Sequence, residues 1–276
     1  MSIADNLKRI SDAKAAIKQS LANKGVEVSD EAKLDEYPAL IDSIEVGGGD
    51  SESVWNMFTN NGKRMEYLFY SCKMSSLDIS HLDTSQAVGM QYMFYFCNKL
   101  TELDVSNFNT SNVTSMESMF AGCSDLTTLD VSNFNTSNVT TMSQMFYYCS
   151  GLTTITGLQN FDFTKAINLG KMFGYCDSLT SLDLSTWDVE KFKTPYQFQD
   201  IINDCKSLAD FYPPKNINTD MKVDKSPVLS HDSLMRIINN LMTTTSTRKL
   251  ILGATNKAKL TDEEIAIATG KGWTVA

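Results

Sequence analysis

Residues 103–114 read LDVSNFNTSNVT, and residues 129–140 read the same twelve letters. A catalytic loop need occur only once. A phrase that returns in step with its surroundings marks a stacked structural unit, so the period is the first thing to follow. Six cysteines set it: Cys72, Cys97, Cys123, Cys149, Cys176 and Cys205, spaced 25, 26, 26, 27 and 29 apart. Three and four residues before each lies an apolar pair, such as Met93-Phe94, Met119-Phe120 and Met145-Phe146. Seven before lies another apolar residue: Met65, Met90, Met116, Met142, Leu169 and Phe198. Those offsets share one side of a helix, so the spacing predicts a short helix in each unit. Leu103, Asp104 and Val105, like Leu129, Asp130 and Val131, alternate inward and outward, which predicts a short strand.

The expected fold is therefore an α/β repeat solenoid, leucine-rich-repeat-like, of about six rungs of short helix plus short strand sharing a parallel sheet. The few apolar side chains of one unit cannot offset the entropy of ordering its backbone, so the units must stabilise one another. The expected division is a helical attachment or oligomerisation segment at 1–46, a flexible linker at 47–53 (Gly-rich), a solenoid at 54–226 and a capping region at 227–276.

The phrase LxxLDVSNFNTSNVTxMxxMFxxC resembles the BspA-type leucine-rich repeat of bacterial surface proteins and some phage proteins. The resemblance covers residues 54–215 and loosens at two places. One is TGLQNFDFTK around Phe161; the other is KFKTPYQFQDIINDC, which carries three extra residues. These irregular rungs are expected to bulge, and bulges on a regular scaffold are candidate binding spots.

Charge narrows the partners. Residues 65–205 hold six Lys/Arg against fifteen Asp/Glu, the whole of the net −9. Nucleic acid, which needs clustered cations, is not expected. No apolar run approaches the ~20 residues of a membrane span, so membrane insertion is not expected. The opening MSIADNLKRISDAK has no apolar signal core, so the expectation is a protein made in the cytoplasm and released by other means.

In the leader, Ile3, Leu7, Ile10, Ile17 and Leu21 follow a heptad series whose gap falls on Lys14. Two outcomes fit: an amphipathic helix folded back on the rest, or self-association, with a homotrimer as one form. The leader also resembles the N-terminal segments of phage and prophage virion proteins, fibre-like ones among them. That resemblance implies attachment to other virion proteins. Towards the other end, Ser230 is placed to cap a helix with Leu234, Ile237 and Ile238 inward, and Thr261 with Glu264 forms a capping-box pattern. The segment LGATNKAKLTDEEIAIATGKGW resembles the close of phage-encoded repeat proteins.

Candidate sites are few. The six cysteines are expected to be buried thiols in a core ladder, since equivalent positions run parallel and do not converge as a disulfide requires. Asp78, Asp104, Asp130 and Asp183 form an outward column that would suit Ca²⁺, or would accept hydrogen bonds from their own turns. Asn107, Asn109, Asn112, Asn133, Asn135 and Asn138, with the aromatics Tyr92, Tyr95, Tyr147, Tyr148 and Tyr175, form a candidate binding surface. The N-x-S/T sequons at Asn109, Asn112, Asn135 and Asn138 are expected to be incidental. His81 occupies the position of Asn107, and Ser230-His231-Asp232 are sequence neighbours, not a convergent triad. No catalytic residue and no cofactor is expected. The functional expectation is a non-enzymatic virion protein, its repeats presenting a surface to a bacterial cell-surface protein or glycan. The alternatives are a structural decoration protein of the particle or an adhesin on the bacterial cell surface.

Overall fold

A computed structural model describes residues 63 and 65–276, apart from 81, 193, 194 and 199, and only the backbone of Pro195 and Tyr196. Ile3, Leu7, Ile10, Lys14, Ile17, Leu21, the linker at 47–53 and His81 lie outside the described residues.

The segment expected to be helical is a chain of turns. From Met90 to Cys97, the N–H groups of Met93, Tyr95 and Cys97 bond back to the carbonyls of Met90, Tyr92 and Phe94 at 3.3, 3.2 and 3.1 Å. The alternate N–H groups, of Met90, Tyr92, Phe94 and Phe96, reach Ser115, Glu117, Met119 and Ala121 of the next unit at 2.9, 3.0, 2.8 and 2.7 Å. An α-helix directs every interior N–H to its own carbonyls and offers none sideways. This ribbon directs half of them to its neighbour.

The turns require left-handed backbone at two places per unit. Five residues before each cysteine stand Tyr67, Tyr92, Ser118, Gln144, Lys171 and Asp200, and one residue before stand Ser71, Phe96, Gly122, Tyr148, Tyr175 and Asp204. All twelve have positive φ, from 53° to 78°. Such backbone costs a non-glycine residue about 1–2 kcal/mol, and the hydrogen bonds between units offset that strain. Among the described residues, only the irregular unit before Cys205 holds a helix in this region.

The regular elements are β1 (Thr128–Asp130), β2 (Thr154–Thr156), β3 (Ser181–Asp183), α1 (Pro195–Phe198), β4 (Asp210–Tyr212), β5 (Met221–Lys222), α2 (His231–Asn240), β6 (Arg248–Ile251), α3 (Gly253–Lys257), α4 (Asp262–Gly270) and β7 (Trp273–Val275). β1 pairs β2 in parallel with Leu129 opposite Ile155, and β3 pairs β4 with Leu182 opposite Phe211. The equivalent stretches at 77–79 and 103–105 form no strand. β2 and β3 belong to different sheets, and between them lies the irregular phrase at Phe161. There Gly157, at φ 95°, passes so close to Ser132 that a Cβ would lie 2.3 Å from its backbone nitrogen. Parallel bridges Gly89–Ser115, Ser115–Thr141 and Thr141–Asn168 join successive units at the start of the turns.

Inside the stack, Phe69, Phe94, Phe120, Phe146 and Phe173 lie ring over ring, with centroids 5.2, 5.6, 5.8 and 5.5 Å apart. Beside them run the six cysteines, all buried and none in a disulfide. Each thiol from Cys97 onward donates to the carbonyl of a phenylalanine one unit back, as Cys149 Sγ does to Phe120 at 3.0 Å and Cys205 Sγ to Phe173 at 3.0 Å. Burial pushes the Cys149 and Cys205 thiols up to about 12.

The C-terminal region, expected as a cap, continues the parallel pairing. Met221 of β5 faces Leu250 of β6, and Leu250 faces Val275 of β7. These offsets of 29 and 25 residues match those between the earlier units. Here true helices replace the turns. The Ser230 hydroxyl accepts from Ser233 N–H to start α2, and Thr261 with Glu264 completes the capping box of α4. The Lys271 ammonium donates to the carbonyls of Ile238 and Asn239 at 3.0 and 2.8 Å, covering the negative end of α2.

Candidate functional site

The polar columns on the outside hold the units together. The Asn133 amide donates to the carbonyls of Val105, Ser106 and Phe108 at 3.0, 3.2 and 2.9 Å. Asn107 does the same to Ile79, Ser80 and Leu82. Asn112 reaches Ser85, and Asn138 reaches Ser111. Asn109 and Asn135 each accept from the N–H and hydroxyl of the serine two residues on. Of the expected binding column, these amides are therefore engaged within the fold. The sequence reading also missed a column of buried threonines. Thr110, 1% exposed, accepts from Asn135 N–H at 2.7 Å and donates to the Asn135 carbonyl at 3.1 Å. Thr84 and Thr136 make the same reciprocal pair with Asn109 and Asp162.

The aspartate column takes the turn role. Asp78, Asp104, Asp130 and Asp183 accept from the N–H of Ser80, Ser106, Ser132 and Ser185 at 3.0, 2.9, 2.9 and 2.8 Å. The serine hydroxyl and N–H hold the Asp104 and Asp130 carboxyls below their ordinary value. Among the described residues, no group of three or more His, Cys, Asp or Glu is arranged to hold a metal ion. His231 sits on α2 with Nε2 2.8 Å from Glu264 Oε1, a contact that joins α2 to α4. Asp232 Oδ1 lies 3.6 Å from His231 Nδ1, but the Ser230 hydroxyl is held by Ser233 in the helix cap, so the three neighbours do not form a triad.

Two features of the surface remain. The first is a band of aromatic rings carried by the turn ribbon. Tyr67 stacks on Tyr92 at 4.9 Å, Tyr70 on Tyr95 at 5.2 Å, and Tyr148 on Tyr175 at 4.3 Å. Tyr147 meets the Tyr148 ring edge-on at 4.6 Å. Tyr70, Phe96 and Tyr148 are each 44% exposed, although each touches a neighbouring tyrosine ring. The band dips at Ala121-Gly122. A Cβ on Gly122 would lie 3.0 Å from the Phe96 ring, so the bare glycine lets that ring lie over it. The Tyr92 hydroxyl donates to Glu117 at 3.0 Å, and burial together with that carboxylate raises its pKa. The Asp204 carboxylate pushes the Tyr175 phenol up to about 12. These phenols are neutral at physiological pH and present flat apolar faces with polar rims.

The second feature is an open groove of about 690 Å³ at the irregular joint between the units of Phe161 and Trp187. Phe161, Phe163 and Trp187 lie beneath it with at most 7% of their surface exposed, the last two rings 4.4 Å apart. Asp162, Asp188, Glu190, Thr164 and Thr186 lie around it. The Lys191 ammonium, also at the groove, donates to the Phe163 carbonyl, and burial lowers its pKa.

A chain of tandem units joined by repeated backbone hydrogen bonds thus carries an aromatic band and a groove. The family described as "Mycoplasma protein of unknown function, DUF285" matches residues 50–150 and again 126–210, more than half of the chain, which belongs to that family. No curated protein and no solved structure matches it.

Proposed function

We propose that this is a non-enzymatic binding protein whose units form one solenoid and hold their exposed aromatic band against a bacterial cell-surface molecule. The observation that carries this reading is the exposure of Tyr70, Phe96 and Tyr148 on one ribbon, where among the described residues Tyr212 is the one other exposed aromatic ring. Rings fixed by their neighbours lose little side-chain entropy on binding, which favours such a surface as a contact. The non-enzymatic part is supported by the acids and thiols: the outward aspartates are engaged by their own turns, and the cysteines are buried, with the pKa raised at Cys97, Cys123, Cys149, Cys176 and Cys205.

The resemblance of the leader to virion proteins favours a place on a phage particle, with the leader joining the protein to other virion proteins or to its sister chains. Many modest contacts would then be multiplied by copy number. The family description, which names Mycoplasma, favours a second reading, a bacterial surface protein with the same repeats. Labelled full-length protein applied to a panel of bacterial cells tests the binding role: saturable binding to a subset of strains is expected, and uniform absence of binding contradicts it. Detection of the chain in purified virions or in cell envelopes separates the two locations.

A further inference from the structure

Among the described residues, every exposed apolar side chain of the turn ribbons is an aromatic ring. The aliphatic residues there, such as Met90, Met93, Met119 and Met145, are wholly buried, and the exposed Val88 and Ile167 lie outside the ribbons. Phe96 also leaves the face-to-face stacking of its neighbours. Tyr67 and Tyr92 stack at an interplanar angle of 14°, and Tyr70 and Tyr95 at 19°, whereas Phe96 tilts 51° from Tyr95. It crosses to the next unit, where the bare Gly122 makes room for it. One side of the ring rests on that glycine, and the other is open to solvent. The next exposed ring of the band, Tyr148, stands two units on, beyond the ringless pair Ala121-Gly122. The charged groups near these rings in the chain are paired. Lys99 meets Asp125 at 3.6 Å, Lys206 meets Asp177 at 2.8 Å, and Asp204 meets Lys225 at 3.8 Å.

We propose that this strip binds a neutral, extended oligosaccharide, with one sugar over Phe96 and another against Tyr148. The assignment deepens the binding role proposed above and rests on it. Charge, ring chemistry and spacing select the ligand. The −9 carried by residues 65–205 repels anionic polymers. Asp177 and Asp204, the acids beside Tyr148 and Tyr175, already hold lysines, which leaves a basic ligand little to meet. Protein interfaces draw on Met and Arg as well as on rings, and here the methionines are turned inward. A sugar presents a C–H side that lies against an aromatic ring, and hydroxyls at its edge that reach the polar rim of a tyrosine. Because a unit without an exposed ring separates Phe96 from Tyr148, a single sugar covers one of them and a chain covers both.

The test is titration of the full chain with neutral glucose and N-acetylglucosamine oligomers of increasing length, beside uronate oligomers, for the parent, Phe96→Leu and Phe96→Tyr. The parent is expected to bind a neutral series at least about tenfold more tightly as a long oligomer than as the single sugar, and not to bind the uronates. Phe96→Leu keeps apolar area and loses the flat ring, so it is expected to lose the gain with length, while Phe96→Tyr keeps it. A blank panel, affinity indifferent to length, equal binding of uronates, or a leucine variant equal to the parent overturns the saccharide. If Phe96→Leu does not fold, Tyr148→Leu is read in its place. On cells, periodate, which cleaves sugar diols, is expected to abolish binding, and protease treatment to leave it. The reverse identifies a protein partner, overturns the saccharide and leaves the binding role standing. Oligosaccharide binding without binding to any cell keeps this site and removes the cell-surface role, and absence of both removes both.

Discussion

The Thr110 hydroxyl is bonded twice to one residue of the next unit, accepting from Asn135 N–H at 2.7 Å and donating to the Asn135 carbonyl at 3.1 Å. A side chain thereby takes the place of a neighbouring strand's backbone. Thr110→Val keeps the shape and leaves both groups of Asn135 without that partner. It is expected to destabilise the protein by about 1–3 kcal/mol, whereas Thr110→Ser retains most of the stability. Chemical denaturation of the three proteins measures this, and a valine variant as stable as the parent rules out the clasp.

Gln144 sits at φ 57° in one of the two left-handed columns. Glycine adopts that backbone without strain, and a β-branched residue adopts it poorly. Gln144→Gly is expected to be neutral or stabilising by up to about 1 kcal/mol. Gln144→Val is expected to be destabilising by about 1–2 kcal/mol. In a helical turn the order would reverse, so the pair of melting temperatures distinguishes the two backbones.

The contact between His231 and Glu264 makes stability depend on pH. The hydrogen bond with Glu264 raises the His231 pKa above 6.5. That contribution is complete below the unfolded value and is lost as pH rises through the folded one. Glu264, lowered below 4.5 chiefly by the Thr261 N–H, contributes above its unfolded value and loses that contribution as pH falls through the folded one. The contact therefore helps most between these ranges. The stability difference between parent and His231→Gln is expected to be larger at about pH 5.5 than at about pH 8.5. An equal difference at both pH values removes the ion pair as its cause.

The thiols offer a check on the interior. Cys149 and Cys205, pushed up to about 12 by burial, hold almost no thiolate near neutrality. Native protein is expected to react with a thiol reagent only at the rate of unfolding, and denatured protein to release all six thiols at once. Rapid native labelling of one or more cysteines contradicts the packed column.

The period, the core positions and the buried cysteines were legible because stacking repeats each inward residue at the same offset. The helical expectation failed for a definite reason. Apolar residues at offsets of three, four and seven mark one side of a helix, and a ribbon of three-residue turns, one closing at every second residue, buries Met90, Met93, Phe94 and Cys97 as well. Nothing in Tyr92, Ser118, Gln144 and Lys171 announces a shared left-handed backbone; Gly122 alone hinted at it. Asn107 and Asn133 were legible as outward amides, yet their partners lie one unit away and only the stacking register reveals them. Thr110 and Thr136 were hidden by their polar phrase. The irregular phrase at Phe161 was visible as a departure from the repeat, and it is where the groove opens.

The most direct measurement of the central claim compares cell binding by the full-length parent with that of a Phe96→Ser/Tyr148→Ser variant whose circular dichroism and melting match the parent. The account predicts at least an about tenfold loss of affinity in the variant, since exposed aromatic anchors dominate contacts of this kind. Equal binding by the two proteins would contradict it.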